Sequence, residues 1–136
     1  MRTPLLAVDA VILFEGGIVL IRRANPPFQG RYALPGGFVE VGETVEEAVM
    51  REASEETGLA IELLGLVGIY SDPGRDPRGH VVSAAFLAEG RGEILPGTDA
   101  RSVEVFPLDR LPPLAFDHDD IIKDALRLCS RMGRLK

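Results

Sequence analysis

Leu5 to Phe14 is apolar and rich in β-branched residues, with a single acid at Asp9, and it stops at the turn Glu15-Gly16-Gly17. Ile18 to Ile21 resumes the pattern, so the two runs predict strands joined as a hairpin. Arg22 to Arg31 (RRANPPFQGR) has two prolines, one glycine and three arginines and reads as loop. Tyr32 to Leu34 is a short extended piece ending at Pro35-Gly36-Gly37. Thr44, followed three residues on by Glu47, predicts a capping box, and Gly58 is the matching helix stop. Ile61 to Tyr70 alternates poorly but is strongly apolar, and is expected to be a strand bent near Gly65 or Gly68. Ser71 to His80 (SDPGRDPRGH) is loop by its turn chemistry. Val81 to Ala88 and Ser102 to Phe106 read as further strands. A last helix, capped by Asp117, has Ile121, Ile122, Ala125, Leu126 and Cys129 at helical spacing. Strands interleaved with helices predict one α/β domain over residues 1–136, a mixed sheet with helices packed on it.

On a helical wheel, Val45, Ala48, Val49 and Ala53 form one apolar stripe of the Thr44–Thr57 helix. Glu52 and Glu56 fall inside that stripe, Glu55 lies on its shoulder, and Glu46 and Glu47 lie outside it. Two carboxylates four residues apart repel, and on a core-facing side they also lose hydration. Arg51 points elsewhere on the wheel and is not expected to neutralise them. A hard divalent cation is the economical partner, Mg²⁺ being commonly held by a few carboxylates and substrate phosphate oxygens. The alternative, a solvated helix face, suits Glu46 and Glu47.

Charge sharpens this focus. Fifteen Lys and Arg against twenty-one Asp and Glu leave −6 over 136 residues. Gly37 to Leu59 alone carries seven acids and one base, so the rest of the chain is neutral. An acidic chain without a basic stripe is a poor nucleic-acid binder. No apolar run reaches the roughly 18–20 residues needed to cross a bilayer, and the N-terminal stretch lacks the features of a signal peptide. Cys129 is the only cysteine, so a reducing cytoplasm is expected, with the thiol as buried filler.

Gly37, five residues, Glu43, seven residues, then Arg51-Glu52-Ala53-Ser54-Glu55-Glu56-Thr57-Gly58-Leu59 resembles the Nudix box, here residues 37–59. Every fixed letter is present, and Ala53 is smaller than the usual bulky aliphatic residue. The resemblance implies the Nudix α/β/α sandwich across nearly the whole chain and a hydrolase of nucleoside diphosphates linked to another moiety. It implies Glu52 and Glu56 as metal ligands, Glu55 as a further ligand or base, and the Gly36 carbonyl as part of the metal shell. It implies a structural salt bridge between Glu43 and Arg51. Mg²⁺ is the expected cofactor, with Mn²⁺ as an alternative.

Outside the box, Tyr70 to Ser83 and Ala115-Phe116-Asp117-His118 are similar to archaeal and bacterial ADP-ribose pyrophosphatases. That implies hydrolysis of ADP-ribose to AMP and ribose 5-phosphate. Arg22, Arg23 and Arg31 are candidates for gripping phosphate, and Phe28 or Tyr32 for stacking on a base. Asp72 and Asp76 are candidates for ribose hydroxyls, with Arg75 or Arg78 on phosphate. The same Asp and Arg side chains also suit a turn that caps its own backbone. His80 and His118 read as local hydrogen-bonding residues. Ser102 stands where many relatives carry glutamate, which leaves the general base among Asp99, Glu55 and Glu52. Two other readings share the box: a house-cleaning nucleoside triphosphate pyrophosphatase and a non-catalytic ADP-ribose sensor. A homodimer is expected, because the long apolar N-terminal strand would make a sticky sheet edge.

Overall fold

The computed structural model describes residues 2–95 and 100–134. Among these, seven strands and two helices form one mixed sheet with a helix on each face. The strands are β1 (Leu5–Phe14), β2 (Gly17–Arg23), β3 (Tyr32–Ala33), β4 (Gly36–Phe38), β5 (Ala60–Tyr70), β6 (Val81–Arg91) and β7 (Ala100–Pro107). The helices are α1 (Val45–Thr57) and α2 (His118–Arg131). Strand order runs β3-β2-β1-β6-β5, with β4 also on β1 and β7 also on β2. Only β1 and β6 run parallel, Leu5 pairing Val81 and Leu13 pairing Glu89; every other pairing in the sheet is antiparallel.

Alternation along the central strands divides the core into two layers. Val8, Ala10 and Ile12 face α1 together with Val19, Ala84 and Phe86, against Ala48, Val49 and Ala53 of the helix. Val11, Leu20, Ala85 and Leu87 face the other way, where Ile121, Ile122, Ala125 and Cys129 of α2 pack on them. This is an α/β/α sandwich, and Cys129 is buried filler. The small Ala53 is fully buried and lets α1 lie close on the sheet.

Four sequence expectations are corrected. The long N-terminal strand is no edge, because β2, β4 and β6 all pair with it, so its apolarity reflects burial on both faces. Pro35-Gly36-Gly37 does not end extended structure; Gly36–Phe38 continues as β4, pairing Gly36 with Asp9 and Gly37 with Val8. Asp117 sits at the N-cap of α2 but makes no capping bond, since its carboxylate is taken by Arg75. The fourth concerns Arg51 and is described with the site. The expected bend in β5 is present, with register shifts between Leu63 and Gly65 and between Leu66 and Gly68.

Candidate active site

Helix α1 starts on a complete capping box: Thr44 Oγ1 accepts from the Glu47 N–H (3.0 Å) and Glu47 Oε1 accepts from the Thr44 N–H (2.9 Å). Gly58 ends it in the left-handed conformation, φ 79°. The cap fixes the rotation of the helix, which turns Ala48, Val49 and Ala53 into the core and leaves Glu46, Glu47 and Glu55 exposed. Glu52 and Glu56 lie between these faces, half-buried, and both reach β4. Glu56 Oε1 accepts from the Gly36 N–H at 2.8 Å. The Glu52 carboxylate rests on Gly37, where a methyl group would come within 2.6 Å of it. Two consecutive glycines thus let two carboxylates converge on one stretch of main chain.

Arg51 corrects the wheel argument. Its Nη1 donates to Glu52 Oε1 (2.9 Å) and to Glu55 Oε2 (3.3 Å). Nε and Nη2 donate to the two oxygens of Glu43 (2.6 and 3.0 Å), and Nη2 also to the Phe38 carbonyl. A long planar guanidinium reaches sideways along the helix, so the Cβ direction alone does not decide what it neutralises. The expected Glu43–Arg51 bridge is therefore present, and its hydrogen bonds hold the Glu43 carboxyl down to about 2.

Arg51 does not reach Glu56. Burial, with the nearby Glu52 charge adding to it, pushes the Glu56 carboxyl up to about 8 against the pull of the Gly36 N–H. Burial also raises Glu52, opposed by Arg51. No cluster of three or more ligating side chains is assembled among the described residues. Two carboxylates converging on the Gly36-Gly37 main chain nevertheless supply hard oxygen donors with charge to spare. That suits Mg²⁺ or Mn²⁺, which keep waters and substrate phosphates in their shells. The residues present fit a divalent ion.

Beyond the glycines lies a cleft of about 220 Å³, lined among others by Asp9, Arg23, Glu56, Asp76, Arg78 and Phe116. Its floor is a buried polar group drawn from three distant segments. Ser83 Oγ donates to Asp9 Oδ2 (2.5 Å), and His118 Nε2 lies 3.5 Å from Asp9 Oδ1. His118 Nδ1 accepts from the Leu34 N–H (3.0 Å), so the proton of the neutral ring sits on Nε2, toward Asp9. Burial lowers the His118 pKa and keeps that ring neutral.

The wall is built by two fixed ion pairs. Arg75 is nearly buried and donates through Nε and Nη2 to both oxygens of Asp117 (2.9 and 2.7 Å). Asp76 is buried, and burial alone would raise its pKa, but hydrogen bonds from Arg78 hold it below the usual range. Arg23 stands over Phe116, 5.0 Å from the ring centre, and donates to the Pro27 carbonyl. Phe116 meets Phe28 edge-on at 4.9 Å. Both phenylalanines have positive φ, 53° and 59°, a conformation costly for bulky residues that the packing around them holds in place.

Of the residues singled out in the sequence, Gly36, Glu56, Arg23, Arg75, Asp76 and Arg78 line this cleft, and Glu52 lies beside it against Gly37. Arg22 and Arg31 turn away to the carbonyls of Gly30 and Leu114. Asp72 caps the Gly74 N–H on the exposed turn, and Glu55 stays on the outer flank of α1. Phe28 supports Phe116, with Arg31 over its ring, while Tyr32 packs on Phe106 and donates to Glu104. His80 closes its own turn on the Ser71 carbonyl. Asp99 lies outside the described residues. Asp9, Ser83 and Phe116 were not foreseen at the site, and His118 bonds across the fold rather than locally. An acid alone in an apolar strand, as Asp9 is, was the available signal.

The NUDIX domain model matches residues 3–125. Over 125 residues the chain is 56% identical to the ADP-ribose pyrophosphatase of Methanocaldococcus jannaschii, covering 91% of this chain and 74% of that one. The NUDIX domain of Shewanella oneidensis NrtR complexed with ADP ribose superposes with TM-score 0.84 at 30% identity, covering 94% and 90%. A bifunctional NMN adenylyltransferase/ADP ribose pyrophosphatase from Francisella tularensis, complexed with AMP and a Mn ion, superposes with TM-score 0.79 at 26% identity, covering 95% of this chain and 43% of that one. With box, sandwich and paired glutamates in agreement, the chain belongs to the NUDIX domain family and is a hydrolase of that family.

Proposed function

We propose that this hydrolase splits ADP-ribose into AMP and ribose 5-phosphate with Mg²⁺ as its ion, Mn²⁺ substituting. The observation that carries the reading is the convergence of Glu52 and Glu56 on Gly36-Gly37 at the edge of a cleft whose wall alternates pinned acids and bases. The ion would be held by Glu52, Glu56 and the Gly36 carbonyl, with Glu55 within reach of its outer shell through Arg51. When bound it supplies charge neutralisation for the diphosphate and a water of lowered pKa.

The chain's own residues do the rest. Arg23 and Arg78 present guanidinium donors to phosphate oxygens. Arg75, saturated by Asp117, holds the wall in shape instead of gripping substrate. Asp76 and Asp9 offer carboxylate acceptors to ribose hydroxyls. Water attacks one phosphorus, its bond to the bridging oxygen breaks, and that oxygen leaves on the other phosphate. The attacking water's proton passes to a carboxylate, with Glu52, Glu55 and Asp99 as the candidates.

The test is a substrate panel with Mg²⁺. ADP-ribose should exceed any nucleoside triphosphate in kcat/KM by at least about tenfold, roughly 1.4 kcal/mol of transition-state discrimination. A panel won by an oxidised or ordinary deoxynucleoside triphosphate would move the assignment to house-cleaning, and binding without turnover would favour a sensor. Cytoplasmic residence is part of the reading, supported by the single buried Cys129. So is a homodimer, now through the exposed Leu66 and Ile69 on the edge strand β5. Sedimentation as a monomer at micromolar concentration with full activity would remove the dimer.

A further inference from the structure

The floor of the cleft carries a hydrogen-bonding pattern that neither the ion site nor the arginines use. Asp9, Ser83 and His118 are all buried, and Asp9 and His118 line the cleft. Ser83 Oγ donates to Asp9 Oδ2 at 2.5 Å and fixes that oxygen. The other oxygen, Oδ1, has His118 Nε2 at 3.5 Å, longer than the roughly 2.7–3.2 Å of an N–H···O bond. The Leu34 N–H donates to His118 Nδ1 at 3.0 Å, so Nε2 carries the hydrogen of the neutral ring. Toward β4, Oδ1 faces Gly36, where a methyl group would come within 2.7 Å of it. The missing side chain keeps that oxygen open.

A donor and an acceptor thus stand side by side, too far apart to saturate one another. An oxygen about 2.8 Å from each closes a triangle on the 3.5 Å side, accepting from Nε2–H and donating to Oδ1. A hydroxyl has both capacities on one atom. A phosphate oxygen only accepts and would face the Oδ1 lone pairs. An ammonium only donates and would face the Nε2 hydrogen.

Distance from the ion site decides whose hydroxyl this is. Gly36 donates its N–H to Glu56 Oε1 (2.8 Å) and borders Asp9 Oδ1, so a single residue separates the two carboxylates. A diphosphate held at Glu56 has a sugar joined directly to it, whereas a base stands one sugar further away. The cleft, about 220 Å³, is also smaller than the roughly 300–1,000 Å³ that encloses a drug-sized ligand, which suits one sugar and its phosphates.

We propose that Asp9 and His118 together read one ribose hydroxyl, on C2 or C3, of a sugar joined to the diphosphate. The assignment rests on the hydrolase reading for the identity of the sugar. It adds the donor, the single atom recognised and the exclusion of phosphate from the floor. A ligand without the hydroxyl leaves a buried carboxylate oxygen and a buried N–H without their shared partner, the arrangement by which hydroxyl-reading sites discriminate.

AMP and ribose 5-phosphate carry the two candidate riboses. Their affinities in Mg²⁺ buffer are compared by calorimetry with those of the 2-deoxy and 3-deoxy analogues of each. One parent should bind at least tenfold tighter than one of its deoxy analogues, and the parent that does so identifies the sugar. Asp9→Ala removes the acceptor. His118→Asn removes the Nε2 donor while its own Oδ1 can still accept from the Leu34 N–H. Both variants should bring the preference below about twofold, with the deoxy analogue bound as before. A merely structural role would weaken parent and analogue alike, and that result would overturn the proposal. So would parents and analogues that bind the unaltered protein equally or not at all, or a preference that survives in either variant. If Asp9→Ala does not fold, the preference of the unaltered protein and its fate in His118→Asn decide. Inosine 5′-monophosphate, whose base edge reverses donor and acceptor, tests the base: binding at least tenfold weaker than AMP, with the deoxy analogues equal to AMP, would put a base on the pair and overturn the proposal. A hydroxyl preference lost in both variants, in a protein that fails to hydrolyse ADP-ribose with Mg²⁺, would sink the hydrolase reading and leave the subsite standing. Hydrolysis of ADP-ribose without any hydroxyl preference would do the reverse.

Discussion

The carboxylate of Glu52 lies against the Cα of Gly37, where a methyl group would sit 2.6 Å from it. Its neighbour Gly36 is enclosed differently: a methyl there would meet the Val8 carbonyl and the Asp9 backbone. A flexible carboxylate can step aside, whereas a paired strand cannot. Gly37→Ala should therefore fold with a stability change below about 1 kcal/mol yet lose one to two orders of magnitude in kcat/KM, because the displaced group is the ligand. Gly36→Ala should instead lower Tm strongly. Thermal melts and kinetics of the two variants check the contrast, and equal loss of stability in both would refute it.

Glu52→Gln and Glu56→Gln should each cut kcat by at least about 10²-fold, several kcal/mol of transition-state stabilisation, with the fold retained. Glu46→Gln, on the solvent face of the same helix, should stay within about twofold. A damaging Glu46→Gln beside a silent Glu56→Gln would reverse the assignment of helix faces.

The Glu56 carboxyl titrates near 8 in the metal-free protein against 4.5 when unperturbed. Between those values the folded state holds the proton more tightly than the unfolded state. Stability therefore falls as pH rises through that window, by about 1.4 kcal/mol per unit where only one state is protonated. His118, held neutral by burial, acts oppositely, and its stabilisation fades as pH drops below about 6.5. Metal-free Tm should therefore decline from about pH 6.5 to 8, and Glu56→Gln should flatten the decline. Metal binding expels the proton, so affinity should rise over the same range with proton release measurable by calorimetry in buffers of different ionisation enthalpy.

Arg75, nearly buried, and Asp117, partly buried, form a bidentate pair joining the 71–80 turn to the start of α2. Removing one partner leaves an uncompensated charge, so Asp117→Ala should cost about 3–5 kcal/mol in chemical denaturation. Exchanging both residues for apolar ones of similar volume should cost less than the single change. If Asp117→Ala leaves the denaturation midpoint unmoved, the pair does not hold the wall.

Local signals in the sequence carried the local structure. Thr44 and Glu47 mark the start of α1, Gly58 its end, and the wheel separates Glu52 and Glu56 from Glu46. What failed depended on distance. Asp9 reads as a lone interruption in an apolar strand until β4, β6 and α2 bring Gly36, Ser83 and His118 to it. Asp117 reads as a cap because nothing nearby in the chain competes for it, whereas Arg75 does so across the fold. The edge assigned to β1 failed for the same reason: its partner β6 lies far along the chain. Arg51 shows a subtler limit, since a period describes where a side chain departs from the helix and not where its charged end arrives.

The parallel pairing of β1 with β6 has a consequence in time. Glu52 and Glu56 are built by a loop and helix whose contacts are short in sequence and quick to form. The floor they face joins Asp9 on β1 to Ser83 on β6, and that floor closes only when Leu5 finds Val81 and the strands zip to Leu13 and Glu89. Loop-closure entropy must be overcome before such a pairing returns any contacts, so the carboxylate-bearing segment is ready first and waits. During synthesis, a chain emerging N-terminus first holds its first strand unpaired on that side until residues 81–89 follow. The activity of this protein should therefore appear in refolding with the slow long-range step, after the helix signal has already risen.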